Sequence, residues 1–151
     1  AKVKATGLTH PQIAEIVKVV YAQAERIGTD PARLLAIIRV ESRFNTKAVS
    51  NHGAKGIMQV MARVHKDKLK GRSPYNLYTN VEVGSDIYKN CLTRAKGNPH
   101  KALSYYSGGG GKAYSGLVFA AEKELRSHTL GVMFAGGPSQ QRPPQYAMAA
   151  L

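Results

Sequence analysis

Apolar residues recur with helical spacing through the first third of the chain. Ile13, Ile16, Val17, Val20, Ala24 and Ile27 form one stripe, opened by Thr9 or His10 ahead of Pro11 and closed by Gly28. A second helix starts at Asp30-Pro31, a capping side chain followed by proline at the first helical position. It sets Leu34, Ile37, Ile38 and position 41 on one face, while Arg33 and Arg39 point away, toward solvent. From Asn45 to Tyr78 the period fails, and Gly53, Gly56, Gly71 and Pro74 punctuate a loop-rich stretch with short helical or extended pieces. Asn80 then reads as the cap of a third helix, which carries Val83, Ile87, Cys91 and Ala95 and stops at Gly97. Asn98-Pro99 opens a short helix through about Tyr105, and a last one runs roughly 112–126 with Leu117, Val118, Ala121 and Leu125 apolar. Residues 127–151 have Gly, Pro and Gln without period and read as a tail or docking arm, leaving 1–126 as the folded domain. The pattern predicts a mainly α domain with one irregular, loop-rich segment between helical layers.

A length of 151 residues with 43% hydrophobic content fits a single domain with a real core. No apolar run is long enough to span a membrane. The start, "AKVKATGLTHPQ", has neither a methionine nor the apolar run of a signal peptide, as expected of a processed or trimmed chain. Cys91 is the only cysteine, which excludes an intramolecular disulfide; it reads as a small buried apolar residue. Charge changes the picture more. Twenty-two Lys and Arg against nine Asp and Glu give +13 and a pI near 10.0, a surface suited to nucleic acid, anionic lipid or a bacterial envelope. Only "HKDKLKGR" at 65–72 concentrates that charge, and it reads as a solvated face. No zinc-finger spacing or RNA-binding aromatic motif accompanies it, so no specific nucleic-acid partner is expected.

Two other motifs fail on inspection. "GGGGK" at 108–112 is not a phosphate loop, because Tyr106 and Ala113 stand where that motif needs Gly and Ser or Thr. The glycines are either a flexible turn or a place where a ligand meets bare backbone. The five His residues lack HExxH or other ligand spacing, so no metal is expected.

Glu41 is different. It ends the apolar face of the second helix, in "IIRVESRF". Burial disfavours its ionised form, and the negative end of the helix dipole pushes the same way. Two readings stay open on spacing alone: a charge at the edge of the stripe whose head reaches water, or a carboxylic acid held protonated near neutral pH. Glu15, Glu25, Asp30, Glu82, Asp86, Glu122 and Glu124 fall at helix starts or on polar faces, and Asp67 among lysines. Each reads as a solvated or capping charge, so no second carboxylate is evident for a two-acid glycosidase.

The segment "ESRFNTKAVSNHGAKGIMQVM" at 41–61 resembles the catalytic segment of the soluble lytic transglycosylase family. Glu41-Ser42 matches the family's Glu-Ser pair, Ser50 its following Ser, and Gly56-Ile57-Met58-Gln59 its Gly-Leu-Met-Gln block. "NVEVGSDIY" at 80–88 looks like the next helix start, and "ALSYYSGG" is similar to the Ala-x-x-x-Tyr-Asn-x-Gly block, with Ala102, Tyr106 and Gly109 in register. Ser107 replaces the family's Asn, and Ala62 stands where Pro commonly follows the Gln block. "YYSGG" is similar to versions in transglycosylases of secretion systems and phage particles, which are the machinery partners it suggests.

The resemblance implies a lysozyme-like fold that cleaves the β-1,4 bond between N-acetylmuramic acid and N-acetylglucosamine in peptidoglycan glycan strands, leaving a 1,6-anhydro end. It implies Glu41 as catalytic acid and then base, and Tyr106 as the hydroxyl that orients it. Ser50 and Gln59 are implied as substrate contacts. Met58 and Met61 read as adaptable core filler, and the family pattern sets the Met61 position beside the sugar groove. No cofactor is implied, and the place of action is the periplasm or cell exterior, or the wall as a phage-delivered enzyme. Two alternatives share the sequence features: a goose-type lysozyme that uses water, and a non-catalytic cationic module that binds wall or nucleic acid.

Overall fold

The structure is a computed structural model that describes residues 7–135, with side chains through residue 128. Thr9 is the N-cap of α1 (His10–Ile27): its N–H donates to Gln12 Oε1 at 2.8 Å while its hydroxyl accepts from the Gln12 N–H, a reciprocal cap. Gly28 ends the helix in the left-handed region (φ 72°). Asp30 caps α2 (Pro31–Ser42) by accepting from the Ala32 N–H at 2.8 Å. Leu34, Ile37 and Ile38 are fully buried, as their spacing predicts, and make α2 the central helix. Each such side chain contributes about 1.5–3 kcal/mol through removal from water. α2 lies between α1 and the last helix, α6 (Gly111–Ala135), with α4 (Leu77–Arg94) and α5 (Pro99–Tyr106) completing the bundle. The irregular segment holds a two-stranded antiparallel hairpin, β1 (Ala54–Lys55) with β2 (Val60–Met61), and the one-turn helix α3 (Lys66–Leu69).

Four expectations need correction. Asn76, not Asn80, caps α4: its side chain accepts from the Thr79 N–H at 3.0 Å, and Asn80 lies inside the helix, buried. α6 runs on to Ala135, past residue 126 and into the segment read as a tail; the rest of that segment, 136–151, lies outside the described residues. Arg33 and Glu122 are not solvated charges. Arg33 Nε donates to Glu122 at 2.5 Å and Nη1 to the Tyr88 hydroxyl at 3.0 Å, and the guanidinium lies 4.7 Å from the Phe119 ring centre. Arg126 completes the cluster by donating to Glu122 at 3.0 Å and to Asp30. The fourth concerns apolar residues: Cys91 is only partly buried against the core, and Leu117 is 61% exposed. Leu117 sits on the flank of α6, beside an open apolar groove lined with Ile13, Val17, Val40, Phe44 and Leu125.

Candidate active site

Glu41 occupies the last turn of α2, where the chain leaves the helix through two residues with positive φ, Arg43 and Phe44. These turn the backbone sharply toward the hairpin. The Ser42 hydroxyl spans the junction, 2.7 Å from the Ile57 carbonyl and 3.2 Å from that of Ile38. The residue that follows Glu41 is therefore tied to the Gly56–Gln59 turn.

The environment decides between the two readings of Glu41. Burial raises its pKa above the usual carboxylate value, and a hydrogen bond from Tyr114 opposes that rise without cancelling it. The Tyr114 hydroxyl donates to Glu41 Oε1 at 2.5 Å. Burial, and after it the Glu41 charge, hold the Tyr114 phenol far above its ordinary range, so it stays protonated and keeps a hydrogen to donate to Glu41. This hydrogen bond engages Oε1.

Among the described residues no second side-chain carboxylate is bonded to Glu41 or its tyrosine partner. Of the other eight acids, Asp30, Glu82, Asp86, Glu122 and Glu124 are ion-paired with arginines, and Glu15, Glu25 and Asp67 are exposed. Among the described residues no group of His, Cys, Asp and Glu could hold a metal ion. Every ion pair among them uses arginine; no lysine takes part.

The other expected site residues take parts that differ from expectation. Tyr106 does not hydrogen-bond Glu41. Its hydroxyl donates to the Met58 carbonyl at 2.8 Å, while burial and then the Glu41 charge keep its phenol protonated. Tyr114 does what was expected of Tyr106. The signal for it lay in the sequence: Val118 and Ala121 are buried, and one turn back on the same face stands Tyr114. Ser50 accepts from the Ala54 N–H at 3.0 Å and the His52 N–H at 3.3 Å. Gln59 takes positive φ (55°) and its side-chain amide donates to the carbonyls of Gly56 at 3.0 Å and Ala48 at 3.2 Å. Both side chains thus shape the hairpin from within. Met61 is partly exposed on β2, and Met58 is fully buried. Ser107 closes the glycine turn, donating to the Ser104 carbonyl at 3.0 Å and accepting from the Gly110 N–H at 2.8 Å. Gly108, Gly109 and Gly111 take positive φ there, which accounts for the glycine run as a turn into α6.

Residues 18–124 match the family model of the Transglycosylase SLT domain. The chain is 30% identical over 128 residues to a membrane-bound lytic murein transglycosylase C from Photorhabdus laumondii, covering 74% of this chain and 35% of that protein. It is 28% identical over 135 residues to the protein of the same name from Yersinia enterocolitica, covering 78% of this chain and 37% of the relative. The chain thus spans about a third of the length of these relatives. Among solved structures it is similar to an inactive mutant of the lytic transglycosylase Slt from Pseudomonas aeruginosa. That match has a TM-score of 0.57 at 23% identity and covers 61% of this chain and 16% of that one, a likeness of fold.

Proposed function

This chain belongs to the family of transglycosylase SLT domains, and we propose that it cleaves peptidoglycan glycan strands at the β-1,4 bond between N-acetylmuramic acid and N-acetylglucosamine. One observation carries the reading: a partly buried carboxyl with a raised pKa, held by a tyrosine hydroxyl that donates to it, with every other side-chain acid ion-paired or exposed. An ordinary two-acid glycosidase needs a second carboxylate across the bond. A ring-closing cleavage needs one group that is acid first and base second.

The steps follow from that. Glu41 Oε2 gives its proton to the glycosidic oxygen as the bond from C1 of the muramic acid breaks. The substrate's own 2-acetamido group shares the positive charge left on that carbon, in place of an enzyme nucleophile. The C6 hydroxyl then attacks C1, and its proton passes to the Glu41 carboxylate, which Tyr114 has stabilised meanwhile. The enzyme returns to its protonated state, and the product carries a 1,6-anhydro ring. Intramolecular attack outcompetes bulk water because the hydroxyl is held close to the reacting carbon. Action in the cell-wall compartment is consistent with this substrate, and among the described residues no helix is long and apolar enough to cross a membrane.

Digestion of purified peptidoglycan tests the proposal. The released muropeptides should be lighter by one water than hydrolysis products and should resist borohydride, since an anhydro end has no reducing group. Full-mass, reducible products would make water the acceptor and the protein a lysozyme.

A further inference from the structure

Asn80 was read from the sequence as a helix cap, yet its side chain is buried and fully engaged away from its own helix. Nδ2 donates to the Lys55 carbonyl at 2.8 Å and to the Pro74 carbonyl at 2.6 Å, and Oδ1 accepts from the Met58 N–H at 2.7 Å. The turn lies directly on this amide: a Cβ at Gly56 would stand 2.4 Å from Nδ2 and 2.5 Å from the Pro74 carbonyl. One turn along α4, Gly84 makes room for the Met58 side chain, whose sulfur would be 2.6 Å from a Cβ there. The next groups are held as well. The Met58 carbonyl accepts from Tyr106, and the Ile57 carbonyl lies 2.7 Å from the hydroxyl of Ser42, the residue after Glu41. Residues 57–58 are therefore gripped from α2, α4 and α5 at once.

We infer that Asn80 is a positioning residue for glycan cleavage: acting through the Met58 peptide unit, it fixes the Gly56–Gln59 turn at its working distance from Glu41. The inference rests on the proposed function. Only an amide meets the demand, which is two donors and one acceptor at a single buried point. An aspartate would face two carbonyl oxygens with no hydrogen to offer. An apolar residue would fill the space and specify nothing. Displacement of a supporting segment by about 1 Å is enough to slow a reaction roughly 100-fold without touching the reacting groups.

The test uses Asn80→Ala and Asn80→Asp in the whole chain, with folding checked by circular dichroism. On solubilised glycan strands, Asn80→Ala should lose kcat about 100-fold while KM changes far less. Asn80→Asp should be as poor near neutral pH and recover toward the parent as the pH falls, because a protonated carboxyl regains one donor. A merely structural loss would not give that selective recovery. Parental kcat in folded Asn80→Ala, or an Asn80→Asp-to-parent activity ratio constant with pH, would overturn the inference; the aspartate series decides if the alanine variant fails to fold. If the parent itself releases no fragments, the proposed function fails instead. Amide hydrogen exchange then decides for Asn80: Met58 N–H should exchange at least tenfold faster in the aspartate variant at neutral pH, and an unchanged rate would count against it.

Discussion

Replacing Tyr114 with Phe should make Glu41 hold its proton more tightly. The Tyr114 hydroxyl donates to Oε1 at 2.5 Å, and this bond favours the ionised carboxylate against the burial that disfavours it. A hydrogen bond to a charged acceptor contributes about 1.5–3 kcal/mol, and the neutral carboxyl keeps part of that because its carbonyl oxygen also accepts. The difference between the two forms is then on the order of 1.4 kcal/mol, a tenfold step in the protonation equilibrium. Removing the hydroxyl leaves burial unopposed. The alkaline limb of the pH–rate profile, set by loss of the Glu41 proton, should move up by about one pH unit. At the acid end the rate should fall about tenfold, since the carboxyl loses its orientation and the carboxylate its stabilising donor. Initial rates on solubilised glycan strands from pH 4 to 9, with NMR titration of Glu41 in parent and variant, would measure both effects. An alkaline limb that stays in place or moves down would refute the coupling of Tyr114 to Glu41.

Glu41→Gln should fold and lose nearly all cleavage, because an amide cannot transfer the proton. Its stability relative to the parent should also depend on pH. A carboxyl whose folded pKa is raised stabilises the fold most below its unfolded value of ~4.3 and loses that contribution as the pH rises through the folded value. Thermal melts should therefore show the glutamine variant gaining on the parent from acid to neutral pH. Gly84→Ala should overpack Met58, lowering stability by about 1–3 kcal/mol in a denaturant melt. Glu122→Leu should cost up to about 3 kcal/mol by leaving the partly buried Arg33 without its carboxylate, and adding Arg33→Met should recover much of it. Binding to peptidoglycan sacculi should weaken with salt, since exposed charges are screened beyond ~10 Å at 0.1 M ionic strength; salt-insensitive pull-down would detach the +13 charge from wall attachment.

The chain reveals its periodic parts readily. Leu34, Ile37 and Ile38 declare a buried face, and that face leads straight to Glu41, so the acid was legible while spacing left its burial open. The parts that hide are those whose reason lies far along the chain. Asn76 and Asn80 are the same residue type one helical turn apart, and either fits a cap by local rules. Contacts with Lys55 and Met58, more than twenty residues away, help to hold Asn80 inside. Tyr114 meets Glu41 across 73 residues and Arg33 meets Glu122 across 89, separations at which spacing carries no information. Tyr106 was expected at Glu41 because the family's motif marks the residue without saying which group its hydroxyl reaches. It holds the turn facing the acid instead.

The division of labour between arginine and lysine has a consequence for how this protein can change. Arginines at 26, 33, 39, 72 and 126 hold acids in place, and their planar forks are not replaceable by an ammonium group. Among the described residues no lysine is paired with an acid. Two sets of positive charge thus coexist on one chain, one fixed by architecture and one free to drift. Exposed lysines without such contacts can be gained, lost or relocated one at a time with little effect on the fold. Exchanging an arginine for lysine at the Glu122 cluster would conserve net charge and still loosen the contact between the helix that bears the acid and the helix that steadies it.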